Sequence, residues 1–188
     1  MQPVTGFPPV VRDDARILVL GSMPGRQSLA ANQYYAHPRN AFWPIMQAIF
    51  DIQAAAPYTD RCAGLVQHHI ALWDVLKACH RPSSLDADID DATIQANDFG
   101  RFLRLHPAIS AVFFNGSKAA EVWRRRIAPT LPEASGRLPT FRLPSTSPAH
   151  AGRSFHSKLT AWREVEGWLQ RPAAPVNQRR TRVTKSKA

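Results

Sequence analysis

A short aromatic segment that contains one amide is the part of this chain best suited to chemistry. It includes Tyr35, His37, Asn40 and Trp43, and it follows an apolar run at residues 17–20 and a turn rich in glycine and proline. A strand, a flexible loop and aromatic side chains in this order are typical of a ligand pocket. Nothing in the segment except His37 can act as a strong acid or base, so a reaction here depends on stacking a flat ligand and on a firmly held polar group. The pattern favours a nucleobase over a sugar or a peptide.

Four short apolar runs predict the strands that must position this segment, at residues 17–20, 70–73, 109–114 and 140–143. Continuous Val, Ile, Leu and Phe without alternation is typical of strands covered on both faces. Helical patterns lie between and after the runs, at residues 42–50, 99–103, 116–123 and 154–169. Strands that alternate with helices predict an α/β fold, a three-layer sandwich with a central four-stranded parallel sheet.

The ends of the four predicted strands lead into loops that are rich in Gly, Pro, Ser and amide groups. These loops begin near Gly21, Asp74, Asn115 and Pro144. Parallel sheets bind ligands beyond the carboxyl ends of their strands. We therefore expect four loops that are far apart in the sequence to meet at one edge of the sheet and to form the site.

The composition predicts one domain, at residues 1–170, followed by a basic tail at residues 171–188. The net charge of +10 favours a polyanionic partner, nucleic acid first and an anionic membrane second. The tail carries six of the 24 Lys and Arg residues and no acid, which leaves the domain a net charge of only +4. Because the tail lacks aromatic residues and hydrophobic periodicity, we expect it to be disordered. It is either a solvated terminus or an arm that binds phosphates without sequence preference.

Several classes of protein are disfavoured by what the sequence lacks. Two cysteines are too few for a disulfide framework or an iron–sulfur cluster, and the Cys and His spacing does not match a zinc site. The chain shows no apolar run long enough for a membrane span and no signal peptide. We therefore expect a monomeric, soluble, cytoplasmic protein without metal or cofactor, and with no membrane partner.

The polar candidates each have a local structural interpretation beside a functional one. Asn40 is placed to cap the helix that starts near Phe42 or to serve the pocket. Arg153 and Lys158 are either phosphate contacts or exposed helix charges. The loop after the last strand offers hydroxyls and an imidazole but could be a rigid surface turn, and it comprises Ser145, Thr146, Ser147, Pro148, Ala149 and His150.

Three segments follow one another in a fixed order: Gly21-Ser22-Met23-Pro24-Gly25, Tyr35-Ala36-His37-Pro38-Arg39-Asn40-Ala41-Phe42-Trp43 and Leu143-Pro144-Ser145-Thr146-Ser147-Pro148-Ala149. In this order they resemble motifs of the uracil-DNA glycosylase superfamily and, within it, of the hypoxanthine-DNA (DNA-deoxyinosine) glycosylase family. The resemblance covers residues 15–169, and the first two motifs together are specific. It implies a four-stranded parallel sheet between helices, no metal ion, and hydrolysis of the bond between a deaminated base and deoxyribose.

The resemblance also implies roles for individual residues. Asn40 falls at the catalytic amide, Tyr35 at the aromatic that stacks on the base, and the loop from Ser145 to His150 at the segment that enters the duplex. Met23 stands where much of the superfamily has an Asp or Asn that positions water, and it cannot take that role. The bulky Leu that the superfamily inserts into the duplex is absent, and the small Ala149 stands in this loop instead. His150 is then one candidate to fill the gap that the extruded base leaves in the base stack.

The expected partner is double-stranded DNA that contains a deaminated base. The base must rotate out of the duplex, and a wobble-paired hypoxanthine or uracil costs less to unpair than a normal base. The backbone amides of Ser22 and Met23 and the hydroxyls of Ser145 and Ser147 are further candidate donors. Two alternatives stay open: a glycosylase that acts mainly on uracil in mispairs, and a basic α/β module that binds nucleic acid without cleaving it.

Overall fold

The computed structural model describes residues 3–172 of the chain. The predicted tail therefore lies outside the described residues, except for Arg171 and Pro172. The strands are β1 (Val4–Thr5), β2 (Ile17–Gly21), β3 (Ile70–Asp74), β4 (Leu76–Cys79), β5 (Gln95–Ala96), β6 (Ala111–Asn115) and β7 (Thr140–Leu143). The α-helices are α1 (Arg26–Ala31), α2 (Phe42–Phe50), α3 (Tyr58–Gln67), α4 (Phe99–Leu105), α5 (Ser117–Val122), α6 (Glu133–Gly136) and α7 (Phe155–Leu169).

A four-stranded parallel sheet forms the centre of the fold, with the strand order β3-β2-β6-β7. Its register places Leu20 between Trp73 and Phe114. All four predicted strands are present, and the fold class is confirmed. The third strand begins at Ala111 rather than at residue 109, because the Ile109 amide closes a turn by donating a hydrogen bond of 3.2 Å to the His106 carbonyl.

Helices cover both faces of the sheet because alternate residues of each buried strand point to opposite sides. On one face, Leu18 and Leu20 pack with α4 and α5. On the other face, Ile17 and Val19 pack with α2, α3 and α7, where Trp162 is fully buried. The sheet is thus the middle layer of three, and its carboxyl edge is left to the loops.

A second, antiparallel sheet of three short strands, in the order β1-β4-β5, was not expected from the sequence. Its strands have only two to four residues, too few for a hydrophobic period to show. Because β4 follows β3 after a single residue, this sheet carries the segment at residues 80–94 toward the carboxyl edge of the main sheet. Within residues 3–172, no helix has the length and hydrophobicity to cross a membrane.

Candidate active site

An open cleft of about 1120 Å³ lies at the carboxyl edge of the parallel sheet. All four loops that the sequence predicted to converge contribute to its lining, through Gly21, Asp74, Asn115 and Ser145 among others. Tyr35 and Asn40, from the aromatic segment, line the same cleft. Residues that are up to 129 positions apart therefore share one site, as expected from the parallel strand order.

Gly21, the last residue of β2, allows the polar groups at the bottom of the cleft to come close together. A β-carbon at this position would lie 2.4 Å from Oδ1 of Asp74 and 2.9 Å from the hydroxyl of Tyr35. Both separations are shorter than any side chain tolerates. Glycine is therefore required here by close approach rather than by the backbone angles.

Tyr35 combines a stacked ring with an unpaired hydroxyl. One face of the ring lies on Phe42, with the ring centroids 4.2 Å apart and the planes inclined by 28°. Its backbone has φ 55°, a left-handed conformation that is unusual for a bulky residue. The hydroxyl is buried and makes no hydrogen bond within the described residues. Burial and the nearby Asp74 hold the pKa of Tyr35 far above its usual value, so the phenol stays neutral and can donate.

The side chain of Asn40 bonds the start of α2, and the residue also lines the cleft. Its Oδ1 accepts a hydrogen bond of 3.0 Å from the amide of Phe42, the first residue of α2, in the manner of a cap. Its amide NH₂ group makes no hydrogen bond inside residues 3–172. The oxygen thus fixes the orientation of the group while the two N–H donors remain available.

The loop after β7 is fastened at Thr146, which is completely buried. Thr146 exchanges two hydrogen bonds of 2.8 Å with the side chain of Asn115, and its carbonyl accepts one of 3.0 Å from the amide of Ala41. The loop is therefore tied to the sheet and to the residue next to Asn40. Ala149 and His150 form its exposed part.

The hydroxyl oxygens of this loop also stabilise its turns. Oγ of Ser145 accepts from the amide of Ser147, and Oγ of Ser147 accepts from the amide of Ala149, both at 3.2 Å. Because a hydroxyl can accept and donate at once, both O–H groups can still donate toward the cleft. Pro148 lies in the same lining.

Asp74 is a functional candidate that the sequence reasoning missed. It ends β3, is 3% exposed, and its Oδ2 has no hydrogen-bond partner in the described part of the chain. Burial, as the largest cause, and the charge of Asp86 raise the pKa of Asp74, and Arg81 opposes them; together they place it at about 7. An acid at the end of a buried apolar strand was the available signal, because a carboxyl group there cannot reach bulk water easily.

The segment after β4 makes hydrogen bonds to the loop that follows β2. Ser22 donates a hydrogen bond of 2.6 Å to Asp86. The guanidinium of Arg81, only 4% exposed, donates to the backbone carbonyls of Met23 and Pro24. The side chain of Met23 is itself buried among core residues, so this loop presents mainly its backbone to the cleft.

Arg153 and Lys158 do not line the main cleft. Both lie in a second cleft of about 310 Å³, which shares Asn40 with the first. Arg153 is exposed, whereas Lys158 is only 5% exposed and lies on the buried face of α7. Their assignment as phosphate contacts stays a prediction, as do the roles assigned to the other site residues.

Comparisons with known proteins agree with this geometry. The model of the uracil DNA glycosylase superfamily matches residues 8–166. A protein of Methanosarcina barkeri named hypoxanthine DNA glycosylase is 38% identical over 162 residues, which cover 85% of this chain and 96% of the relative. A Methanosarcina acetivorans protein of the same name is also 38% identical, over 62% of this chain and 73% of the relative.

A solved structure is also similar to this chain. The solution NMR structure of a candidate uracil DNA glycosylase from Methanosarcina acetivorans superimposes with a TM-score of 0.69 at 30% sequence identity. The match covers 88% of this chain and 99% of that one. With the strand order and the loop motifs, these similarities show that the chain belongs to the uracil DNA glycosylase superfamily.

Proposed function

We propose that this protein is a DNA repair glycosylase that extrudes hypoxanthine from double-stranded DNA and hydrolyses its bond to deoxyribose. The observation that carries the proposal is the convergence of Tyr35, Asn40 and Asp74 on one open cleft. The superfamily and the names of the two Methanosarcina relatives support an enzyme over a module that only binds nucleic acid. They also favour hypoxanthine as the base.

Tyr35 supplies the surface that receives the extruded base. Phe42 covers one face of its ring, which leaves the other for a base in the cleft. Stacking on an aromatic ring contributes about 1–3 kcal/mol for a base and does not depend on which base it is. Stacking therefore holds the base, and polar groups must identify it.

Asp74 provides the polar edge that identifies the base. A neutral carboxyl group has one O–H donor beside one acceptor, which matches the carbonyl next to an N–H on hypoxanthine. The raised pKa of Asp74 maintains this neutral form at and below about pH 7. As the glycosidic bond breaks, negative charge develops on the leaving base, and a donated hydrogen bond stabilises it. An ionised carboxylate would repel it.

Asn40 acts on the reacting bond rather than as a base, because its amide does not titrate near neutral pH. Its free N–H donors and its fixed oxygen hold water near the sugar or bind the departing base. In the hydrolysis the bond between C1′ and the base nitrogen breaks. The water oxygen bonds to C1′, and the base leaves with a proton in place of the sugar.

The test is single-turnover release of free base from duplexes that carry one hypoxanthine, one uracil or only normal bases. We expect hypoxanthine release, and its loss in the Asn40→Ala variant controls for a contaminating enzyme. Uracil in mispairs is the alternative substrate that this assay ranks directly. A protein that binds all duplexes and releases no base would contradict the proposal and support a non-catalytic binding module.

A further inference from the structure

The second cleft adjoins the main cleft and differs from it in charge. Arg39 and Asn40 line both clefts, so whatever occupies one lies beside the occupant of the other. Arg39, Arg153 and Lys158 line the second cleft, and no acidic residue does. Within residues 3–172, none of these three cations forms an ion pair. The cleft is therefore a cationic site without a counter-ion.

Lys158 is the most unusual of the three cations. The residue is 5% exposed, and its ammonium makes one long hydrogen bond, of 3.4 Å, to the carbonyl of Ser147. Burial lowers its pKa. A desolvated ammonium with a single neutral partner is unfavourable, and an anion in the cleft would supply the missing interaction. The fold thus positions a charge whose partner is not part of the described chain.

The part of the main cleft that the second cleft does not share would reject an anion. Asp86, Asp91 and Glu121 line it. Its cations are already engaged, since Lys118 pairs with Asp91 at 2.6 Å and Arg26 donates to the carbonyl of Pro82. A polyanion that covers the whole site therefore has its most favourable position on the side of Arg39.

We propose that the second cleft binds one backbone phosphate of the damaged strand, next to the extruded nucleotide. This inference rests on the proposed function and adds a subsite to it. Lys158 is the buried contact, and Arg39 and Arg153 are the outer ones. Phe155, which is 46% exposed and lines the cleft, contacts the sugar or base of the neighbouring nucleotide. Because Asn40 borders both clefts, the bound phosphate sets the position of the sugar relative to its amide.

The test measures equilibrium binding and single-turnover base release on duplexes with one hypoxanthine and one uncharged methylphosphonate linkage, moved stepwise along each strand. The variants of the full chain are Lys158→Met and Arg39→Gln. Arg163→Gln is the matched control, because Arg163 is an exposed cation of the same helix that pairs with Glu166 at 3.4 Å. Thermal unfolding of each variant separates loss of binding from loss of fold.

We expect one neutral linkage, flanking the lesion on its own strand, to weaken wild-type binding about tenfold, as expected for one charged hydrogen-bonded contact. Lys158→Met should weaken binding by a similar factor without lowering the melting temperature, since it removes a desolvated charge. On the duplex that carries that one neutral linkage, Lys158→Met should cause no further loss of affinity. Neutral linkages at other positions should weaken binding of Lys158→Met further. Arg163→Gln should respond to every linkage as wild type does.

Two results would overturn the subsite: wild-type affinity of both Lys158→Met and Arg39→Gln, or variant and linkage effects that add at every position. Failure of the proposed function is a different result, because the protein would then release no base from any duplex. Binding measured linkage by linkage still decides the phosphate contact in that case.

Discussion

Asn115 and Thr146 exchange two hydrogen bonds, each 2.8 Å long, between the end of β6 and the loop that follows β7. Nδ2 of Asn115 donates to the Thr146 hydroxyl, and the Thr146 amide donates back to Oδ1 of Asn115. Both residues are buried, so the exchange is not weakened by competing water. The position of the loop beside Asn40 depends on this pair.

Asn115→Ala should therefore lower the free energy of unfolding by about 1–3 kcal/mol, because it leaves the buried amide and hydroxyl of Thr146 without these partners. Denaturant titration measures the loss. Thr146→Val is the matched comparison, since it removes the hydroxyl and keeps the backbone donor, and it should cost less. Equal stability of Asn115→Ala and wild type would show that the pair does not hold the loop.

Asn40→Ala should reduce base release at least about a hundredfold, the loss typical of a positioning or oxyanion-type donor. It should also cost about 1 kcal/mol of stability, because the Phe42 amide loses its acceptor. Asn40→Asp separates the two roles: it keeps an acceptor for Phe42 and removes both N–H donors. If Asn40→Asp and Asn40→Ala both released base at nearly the wild-type rate in single-turnover assays, Asn40 would be only a cap.

Tyr35→Phe should retain most of the base-release activity, whereas Tyr35→Ala should lose about 1–3 kcal/mol of transition-state stabilisation. In the proposed function the ring face does the stacking, and the hydroxyl has no partner to lose in the described structure. The ratio of kcat/KM values measures the effect. A Phe variant as impaired as the Ala variant would assign the function to the hydroxyl instead.

The rate of base release should fall as pH rises through about 7, because the proposed donor on Asp74 is then lost. Asp74→Asn retains an N–H donor that does not titrate, so its rate should stay high above pH 7. Asp86, Arg81, Tyr35 and His37 are the other titratable or charged groups nearby. Inactive Asp74→Asn would instead indicate that the ionised carboxylate is required.

The stability of the wild-type protein relative to Asp74→Asn should also fall as pH rises. The folded-state pKa of Asp74, about 7, exceeds the unfolded value of about 3.9, so the folded state holds the proton more tightly. The contribution of Asp74 to stability is therefore present at low pH and falls as pH rises to about 7. Above that pH, Asp74→Asn should be more stable than wild type by up to about 4 kcal/mol, and near pH 4 the difference should vanish.

Deletion of residues 173–188 should weaken duplex binding and flatten its salt dependence. Five Lys and Arg residues are removed, and each lost phosphate contact lowers the log–log slope by about 0.9. Arg171 is kept because its guanidinium lies 4.2 Å from the ring of Trp168. Single-turnover rates at saturating enzyme should be unchanged. An unaltered salt slope would identify the tail as a solvated terminus.

The sequence predicts the sheet and the convergence of its loops because both follow from strand periodicity. It does not predict that Lys158 is buried, since a lysine in an amphipathic helix is usually exposed. Lys158, Trp162 and Val165 are spaced by four and three residues, so they share one helix face, and this spacing was the signal that could have revealed it.

Asp74 and Arg81 show a different limit of sequence reasoning. Their properties arise from packing between segments: Arg81 reaches the carbonyls of the loop after β2, and Asp74 packs closely against Gly21 at the start of that same loop. No local pattern records which carboxyl group will lack a partner. The resemblance to a family identified Tyr35 and Asn40, but the unpaired Asp74 became apparent only in the folded structure.

The crowding at Gly21 has a consequence for how a base is received. The backbone of Gly21, the carboxyl group of Asp74 and the hydroxyl of Tyr35 are so close that not even a methyl group would fit among them. These groups have little freedom to adapt to a ligand of another shape. The conformational entropy of ordering them is lost when the chain folds rather than when DNA arrives. In the proposed function the pocket is therefore a rigid template, and a base with a mismatched edge should meet a fixed surface that does not rearrange around it.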